Sequence, residues 1–286
     1  MKQLLTYISI LIVTGALFQA CDVVEEPYVE ENASVWNGRK ILILDFTGHH
    51  CPNCPEGHRT LEELQNSFGE AVVPVAIHAT YFARFQNDTT EPFYYDFTCP
   101  AGIELGGNTQ GEPGYFSIFG LPVAAVNTLD PDETTNPGEW GGIISGILGK
   151  YPEFTISIDN DYNAGDNILN TEVETEVEVA SVRNLRVAVY LTESHIINWQ
   201  EDDAAEESPV PDYQHNHVLR AGMNGTFGED VNTGNTAITP GDLMTVTCSQ
   251  EMGSKWQAEN CHVVAFIYDT DTYEVLQAET SPLIQK

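Results

Sequence analysis

From Lys40 to Asp45 the chain runs Lys-Ile-Leu-Ile-Leu-Asp, an apolar run of strand length without polar alternation, the pattern of a strand buried on both faces. Thr47 and Gly48 signal a turn. After it the pattern becomes helical: Leu61, Leu64 and Phe68 share one face, Asn53 and Glu56 fit an N-cap and its N3 carboxylate, and Gly69 suits the position just past the helix. Ala71 to His78 is a second apolar run, so strand, helix and strand compose a βαβ unit with a right-handed crossover. Residues 81–114, rich in Gly, Pro, Asn, Thr and aromatics, are too long for an ordinary connection and read as an insertion with a short helix near the functional face. A strand opened by Pro122 follows. Asn136, Pro137 and Glu139 then announce a helix with Trp140, Ile143, Ile144, Ile147 and Leu148 at helical spacing, which closes a first domain near Pro152.

Beyond Glu153 the period changes to two. Phe154, Ile156 and Ile158 alternate with polar residues, as do Leu185, Val187, Val189 and Leu191; Val173, Thr175, Val177 and Val179 face away from Glu172, Glu174, Glu176 and Glu178. Further strands are expected at 243–249, 261–268 and 273–278. Several short strands with turn signals and no strong helix suggest an antiparallel β-sandwich of immunoglobulin-like size. The expected class is therefore α+β in two domains, an α/β domain over 36–152 and an immunoglobulin-like β-sandwich over 153–286.

The N-terminus changes the compartment. Lys2, the apolar stretch from Leu4 to Phe18 and a small residue before Cys21 read as a lipoprotein signal peptide over 1–20, with Cys21 as the lipidated residue. Residues 21–35, with Asp22, Glu25, Glu26, Glu30 and Glu31, read as an acidic tether. The expected partner is a membrane reached through the lipid. A net charge of -32, from 11 Lys+Arg against 43 Asp+Glu, repels phosphate backbones and argues against nucleic-acid binding.

Six cysteines are present, and lipidation of Cys21 leaves five. Cys248 and Cys261 lie at facing ends of two expected strands, which suggests a structural disulfide between them. Cys99 is left over as a buried free thiol or as a partner for another cysteine. Cys51 and Cys54, at the start of the first helix, carry the strongest chemical signal: unpaired helix N–H groups stabilise a thiolate there, and a thiol three positions on can resolve a mixed disulfide. Taken alone the spacing fits a redox pair, a stable disulfide or a metal site, the last with His49, His50 and His58 as weak candidate ligands. His215 and His217 would share a face on a strand, and Asp159 to Asn170 lacks the Gly and Glu of a calcium loop. No cofactor is expected.

The strand before Cys51, the helix after Cys54 and the later Pro122 resemble a thioredoxin-fold active site, whose loop packs against a cis-proline. That resemblance implies Cys51 as nucleophile, Cys54 as resolving thiol and Pro122 shaping a substrate groove, with protein thiols as partners. His50 before the first cysteine and Pro55 after the second depart from it. The lipoprotein-like start, the segment from Asp45 to Pro55, Tyr213 to Arg220 and Val263 to Tyr268 together resemble the twenty-eight-kilodalton outer-membrane lipoprotein family of Bacteroidota. This implies an outer-membrane lipid anchor, a thioredoxin-like domain and a C-terminal β domain without an established activity; the acids after Cys21 also resemble a surface-export signal. Two functions follow as expectations: thiol–disulfide exchange in the cell envelope, or non-catalytic binding of a surface ligand with a structural Cys51–Cys54 bond.

Overall fold

Strand β1 (Ile41–Thr47) is buried along its whole length, as its unbroken apolar run requires. The computed structural model describes residues 38–284; the expected signal peptide over 1–20, Cys21 and the expected tether over 21–35 lie outside the described residues. After β1 come helix α1 (Cys54–Phe68) and strand β2 (Val72–His78), then the short helix α2 (Pro100–Gly106) within the insertion, β3 (Val123–Val126) and helix α3 (Pro137–Ile147). The remaining chain supplies β4 (Phe154–Asn163), β5 (Ile168–Val177), β6 (Leu185–Glu193), β7 (Ile196–Gln200), β8 (Val210–His215), β9 (Val218–Gly222), β10 (Glu229–Asn232), β11 (Leu243–Glu251), β12 (Cys261–Asp269) and β13 (Val275–Pro282).

Helix α1 starts one residue after Asn53 and stops at Gly69, whose φ of 56° suits a residue without a Cβ. Asn53 occupies the N-cap without a capping bond from its side chain. In α3 the Glu139 carboxylate accepts from the Asn136 N–H at 3.1 Å, and the Trp140 indole donates to the Thr135 carbonyl at 3.1 Å, so the helix start and its largest buried side chain are locked together.

Strands β1 and β2 run parallel with Asp45 opposite Ala76, and β3 lies antiparallel on the other side of β1. These three do not form a sheet of their own. One mixed sheet runs β13-β12-β6-β9-β2-β1-β3, with β10 added to β6, and an antiparallel bridge from Thr128 to Glu274 joins its two ends. The curled sheet encloses a core to which both halves of the chain contribute, with Leu42, Leu44 and Val75 facing Tyr190, Val264 and Phe266. A second core lies between the opposite face of β6, β12 and β13 and a separate antiparallel sheet β11-β5-β4, whose outer side carries Glu172, Glu174 and Glu176 as expected. A third joins Ile41, Ile43 and Val72 to Leu61 and Leu64 of α1 and Trp140 and Ile144 of α3.

The expected division at Pro152 is thus corrected. All described residues belong to one compact unit, because β6, β9, β12 and β13 finish the sheet that β1–β3 begin. The period switch marks a change of layer, and apolar residues on both faces of β6 and β12 bind the layers into one body. What stands is a mixed α+β protein with few helices and many strands in several sheets.

The Cys248–Cys261 disulfide is also corrected: both are free thiols. Cys248 pairs with Thr171 in the outer sheet, whereas Cys261 pairs with Glu193 in the curled one, so the two strands are not neighbours. Cys99 is a buried free thiol at the start of α2, where its sulfur accepts from the Gly102 N–H at 3.3 Å.

Candidate functional site

Cys51 and Cys54 form a disulfide. The bond sits at the start of α1, with Cys54 as the first helical residue and Cys51 outside the helix, so the thiol expected to be the nucleophile gains little from the helix terminus. Cys51 is only 2% exposed and Cys54 is fully buried. Two segments cover them. The insertion approaches from one side: the His50 N–H donates to the Phe82 carbonyl at 3.0 Å, His49 Nε2 lies 2.6 Å from the Arg84 carbonyl, and the Phe93 ring lies 3.9 Å from that of His50.

From the other side comes the β7–β8 hairpin, paired Ile196 to His215 and Asn198 to Tyr213. The buried Gln200 side chain donates to the Cys51 carbonyl at 3.0 Å. Backbone N–H groups of Glu201 and Asp203 donate to the carbonyls of His49 and Pro52 at 2.9 and 3.0 Å, and Arg59 of α1 holds Asp202 at 3.0 Å. The hairpin and the loop after Gln200 close over the cysteines largely through main-chain contacts, which any residue could make, with Arg59–Asp202 and His58–Tyr213 as side-chain ties from α1. Gln200 is polar and wholly buried.

The insertion depends on Gly48. A Cβ there would lie 2.5 Å from the Phe82 carbonyl carbon, which is backbone and cannot rotate away. Gly48→Ala should push the 81–84 segment off the cysteine loop and cost about 1–3 kcal/mol, the usual cost of overpacking. Urea unfolding of the purified protein measures it, and an unchanged midpoint would show that the segment is not pinned there.

Pro122 follows Leu121 through a cis bond and packs near Gly57 of α1, where a Cβ would lie 3.0 Å from its ring. With Asn53, Glu56 and Phe119 it lines an open cavity of about 580 Å³ beside the cysteine loop; Phe119 is 99% exposed. Burial pushes the imidazoles of His49, His50 and His58 down to about 4, leaving them neutral at physiological pH. They do not converge: among the described residues no group of three His, Cys, Asp or Glu side chains could hold a metal ion. His215 ends β8 buried, while His217 lies beyond it at a φ of 57°, so the two do not share a strand face. Asp159 and Asp161 lie within β4 rather than in a loop.

Sequence reasoning passed over Asp45 as a site residue. It is fully buried in β1, and desolvation raises its carboxyl to about 7. A charged residue closing a wholly apolar run was the available signal.

The fold and site define a mixed α+β protein whose Cys-x-x-Cys disulfide lies closed beneath an insertion and a hairpin. The chain belongs to the outer membrane protein Omp28 family, whose model matches residues 111–283. No curated protein matches it. Among solved structures it is similar to HBP35 of Porphyromonas gingivalis, with 16% identity and a TM-score of 0.60 over 86% of this chain and 76% of that one. A structural-genomics protein from Agrobacterium tumefaciens is 13% identical with a TM-score of 0.52, covering 88% of this chain and 98% of its own. A domain of the outer membrane lipoprotein Omp28 from Porphyromonas gingivalis is 26% identical over 46% of this chain and 88% of that domain, with a TM-score of 0.29. The first two likenesses show the fold alone. Family membership places the protein at the outer membrane, and no helix among the described residues is long and apolar enough to cross a membrane.

Proposed function

We propose that this is a binding lipoprotein of the outer membrane, anchored through Cys21, in which the Cys51–Cys54 disulfide braces a thioredoxin-like frame and takes no part in thiol exchange. The parallel β1–α1–β2 unit, β3 antiparallel to β1 and the cysteines at the head of α1 support that frame. The observation that carries the non-catalytic reading is the burial of Cys51 beneath Gln200 and the hairpin. Thiol–disulfide exchange needs a thiolate to reach a sulfur along an open approach.

Titration of the native protein with glutathione buffers tests it. The disulfide is expected to persist, with a reduction potential below about −300 mV, the range of structural disulfides. Gln200→Ala, which loosens the cover without touching the sulfurs, should make reduction faster. Ready reduction of the wild-type bond would sink the bracing role. In that event the second reading, exchange with protein thiols in the groove beside Pro122, takes over; the open cavity shared by Asn53, Pro122 and the exposed Phe119 favours it. The anchor is tested separately: Cys21→Ser should move the protein from the membrane fraction to the soluble one.

A further inference from the structure

Alternate residues of β1 and β2 face helix α1. On β1 these are Ile41, Ile43 and Asp45; on β2 they are Val72, Pro74, Ala76 and His78, since Leu42, Leu44, Val73, Val75 and Ile77 face the opposite core. The two strands change character along their length. Their first halves are apolar and covered by Leu61 and Leu64, whereas at Asp45 and His78 the same face turns polar and opens into a cavity of about 170 Å³.

The sheet makes room for it. Strand β2 meets β9 at a single pair, Ala76 opposite Val218, and the β8–β9 turn crosses the gap with the His217 carbonyl accepting from the Ala76 N–H at 2.8 Å. Helix α1 forms one wall and the turn the other. Exposed Arg59, Glu62, Gln214 and Asn216 stand among the lining residues toward solvent, and the buried polar ones are Asp45, His78 and His215.

The buried end lacks internal partners. Asp45 is 0% exposed and neither carboxyl oxygen has a hydrogen-bond partner; His78 is 3% exposed and neither ring nitrogen has one. His58 does not satisfy Asp45. Its Nε2 lies 3.7 Å from the carboxyl and is engaged with the Thr47 hydroxyl at 2.9 Å, while its Nδ1 meets the Tyr213 hydroxyl at 2.8 Å. Buried polar groups in folded proteins are normally bonded, so these invite a polar guest.

The donor set says which guest. Glu62 and Arg59 both stand on the approach, but the Arg59 guanidinium is held by Asp202 at 3.0 Å, so the carboxylate beside neutral imidazoles disfavours an anion and offers surplus acceptors. Burial holds His78 well below its ordinary value, so one of its nitrogens keeps a free lone pair. A metal ion would need three converging ligands, which are absent among the described residues. A primary ammonium group has three donors, no acceptor and one positive charge, and is small enough to reach the floor of the cavity.

We propose that this cavity is a receptor site for a primary ammonium group, bound by Asp45 and His78, with the rest of the guest extending past Glu62 to solvent. The proposal deepens the binding role above and rests on it only for the claim that binding is the protein's task; the glutathione titration and the test below can fail independently.

The test is an NMR titration of the full chain with its histidine and aspartate side chains labelled. n-Butylammonium is expected to shift the His78 ring and Asp45 carboxyl signals saturably. Tetramethylammonium, which keeps the charge but has no donors, and butanol, which lacks the charge, should bind about tenfold or more weakly, the usual effect of losing a charge-assisted hydrogen bond. Asp45→Asn should weaken n-butylammonium binding by a similar factor. Ala76→Leu, which narrows the cavity without removing a polar group, should also block it. N-acetyl-lysine methylamide separates the sources: binding as tight as n-butylammonium identifies a lysine side chain as the guest, and weaker binding identifies a free alkylamine. No saturable shift, an equal response to tetramethylammonium, or indifference to Asp45→Asn would overturn the proposal.

Discussion

Asp45→Asn should make the protein more stable above neutral pH and remove a pH dependence that the native chain carries. The carboxyl is raised from 3.8 to about 7 by burial. Below about pH 4 it is protonated in both folded and unfolded states and adds no pH dependence. Between there and about pH 7 the folded state keeps a proton that the unfolded state has released, so stability falls as pH rises, then levels off. At 1.36 kcal/mol per pH unit, the stability difference between variant and native protein should widen by about 3 kcal/mol from pH 5 to pH 8. Urea unfolding in amine-free buffer across that range measures it. A difference that stays flat would mean that Asp45 is ionised in the folded protein and has a partner. The same substitution is expected to weaken amine binding about tenfold or more, so stability and binding should move in opposite directions, which simple damage to the fold would not produce.

Arg220→Ala should be severely destabilising. Arg220 and Glu193 are both buried and joined at 2.7 Å; Arg220 also donates to the Tyr95 hydroxyl at 2.7 Å, and Glu193 accepts from the Gln257 N–H at 2.8 Å. Removing the guanidinium strands a carboxylate in the interior, which costs about 3–5 kcal/mol. For a chain of this size that lowers the thermal midpoint by about 10 °C. The pair itself adds little net stability, because the desolvation of two ions offsets their attraction. The double variant Arg220→Met with Glu193→Leu should therefore recover most of the loss. If the double variant is as unstable as Arg220→Ala, the pair does more than neutralise itself and fixes the approach of Tyr95 and Gln257 to the β6–β9 edge.

Much of this architecture is legible along the chain. The unbroken apolar run of β1, the helix between Asn53 and Gly69, the Asn136–Glu139 helix start and the alternating Val173 to Val177 ladder all follow from local periodicity and capping, which depend on neighbours three or four residues away. Segments whose role is set by distant partners were not legible. Ile196 to His215 contains no strong alternation, and nothing local says that it folds back over Cys51. The alternation in β6 and β12 does not tell one covered face from two, and both strands are in fact covered on both faces.

The cysteines divide along the same line. Cys51 and Cys54 are three residues apart, and that separation already makes a bond between them feasible. Cys248 and Cys261 are separated by a loop whose path depends on which sheet each strand joins, and they join different ones. Local pattern is enough for β1, α1, α3 and the alternating strands, for the feasibility of a Cys51–Cys54 bond and for the acidic charge, because each rests on short-range geometry or on counting charges. That both halves share one curled sheet, that the formed disulfide lies under cover, and that Asp45 and His78 line one cavity are set in three dimensions. Those outcomes depend on contacts between residues far apart in the chain, whose burial no local pattern encodes.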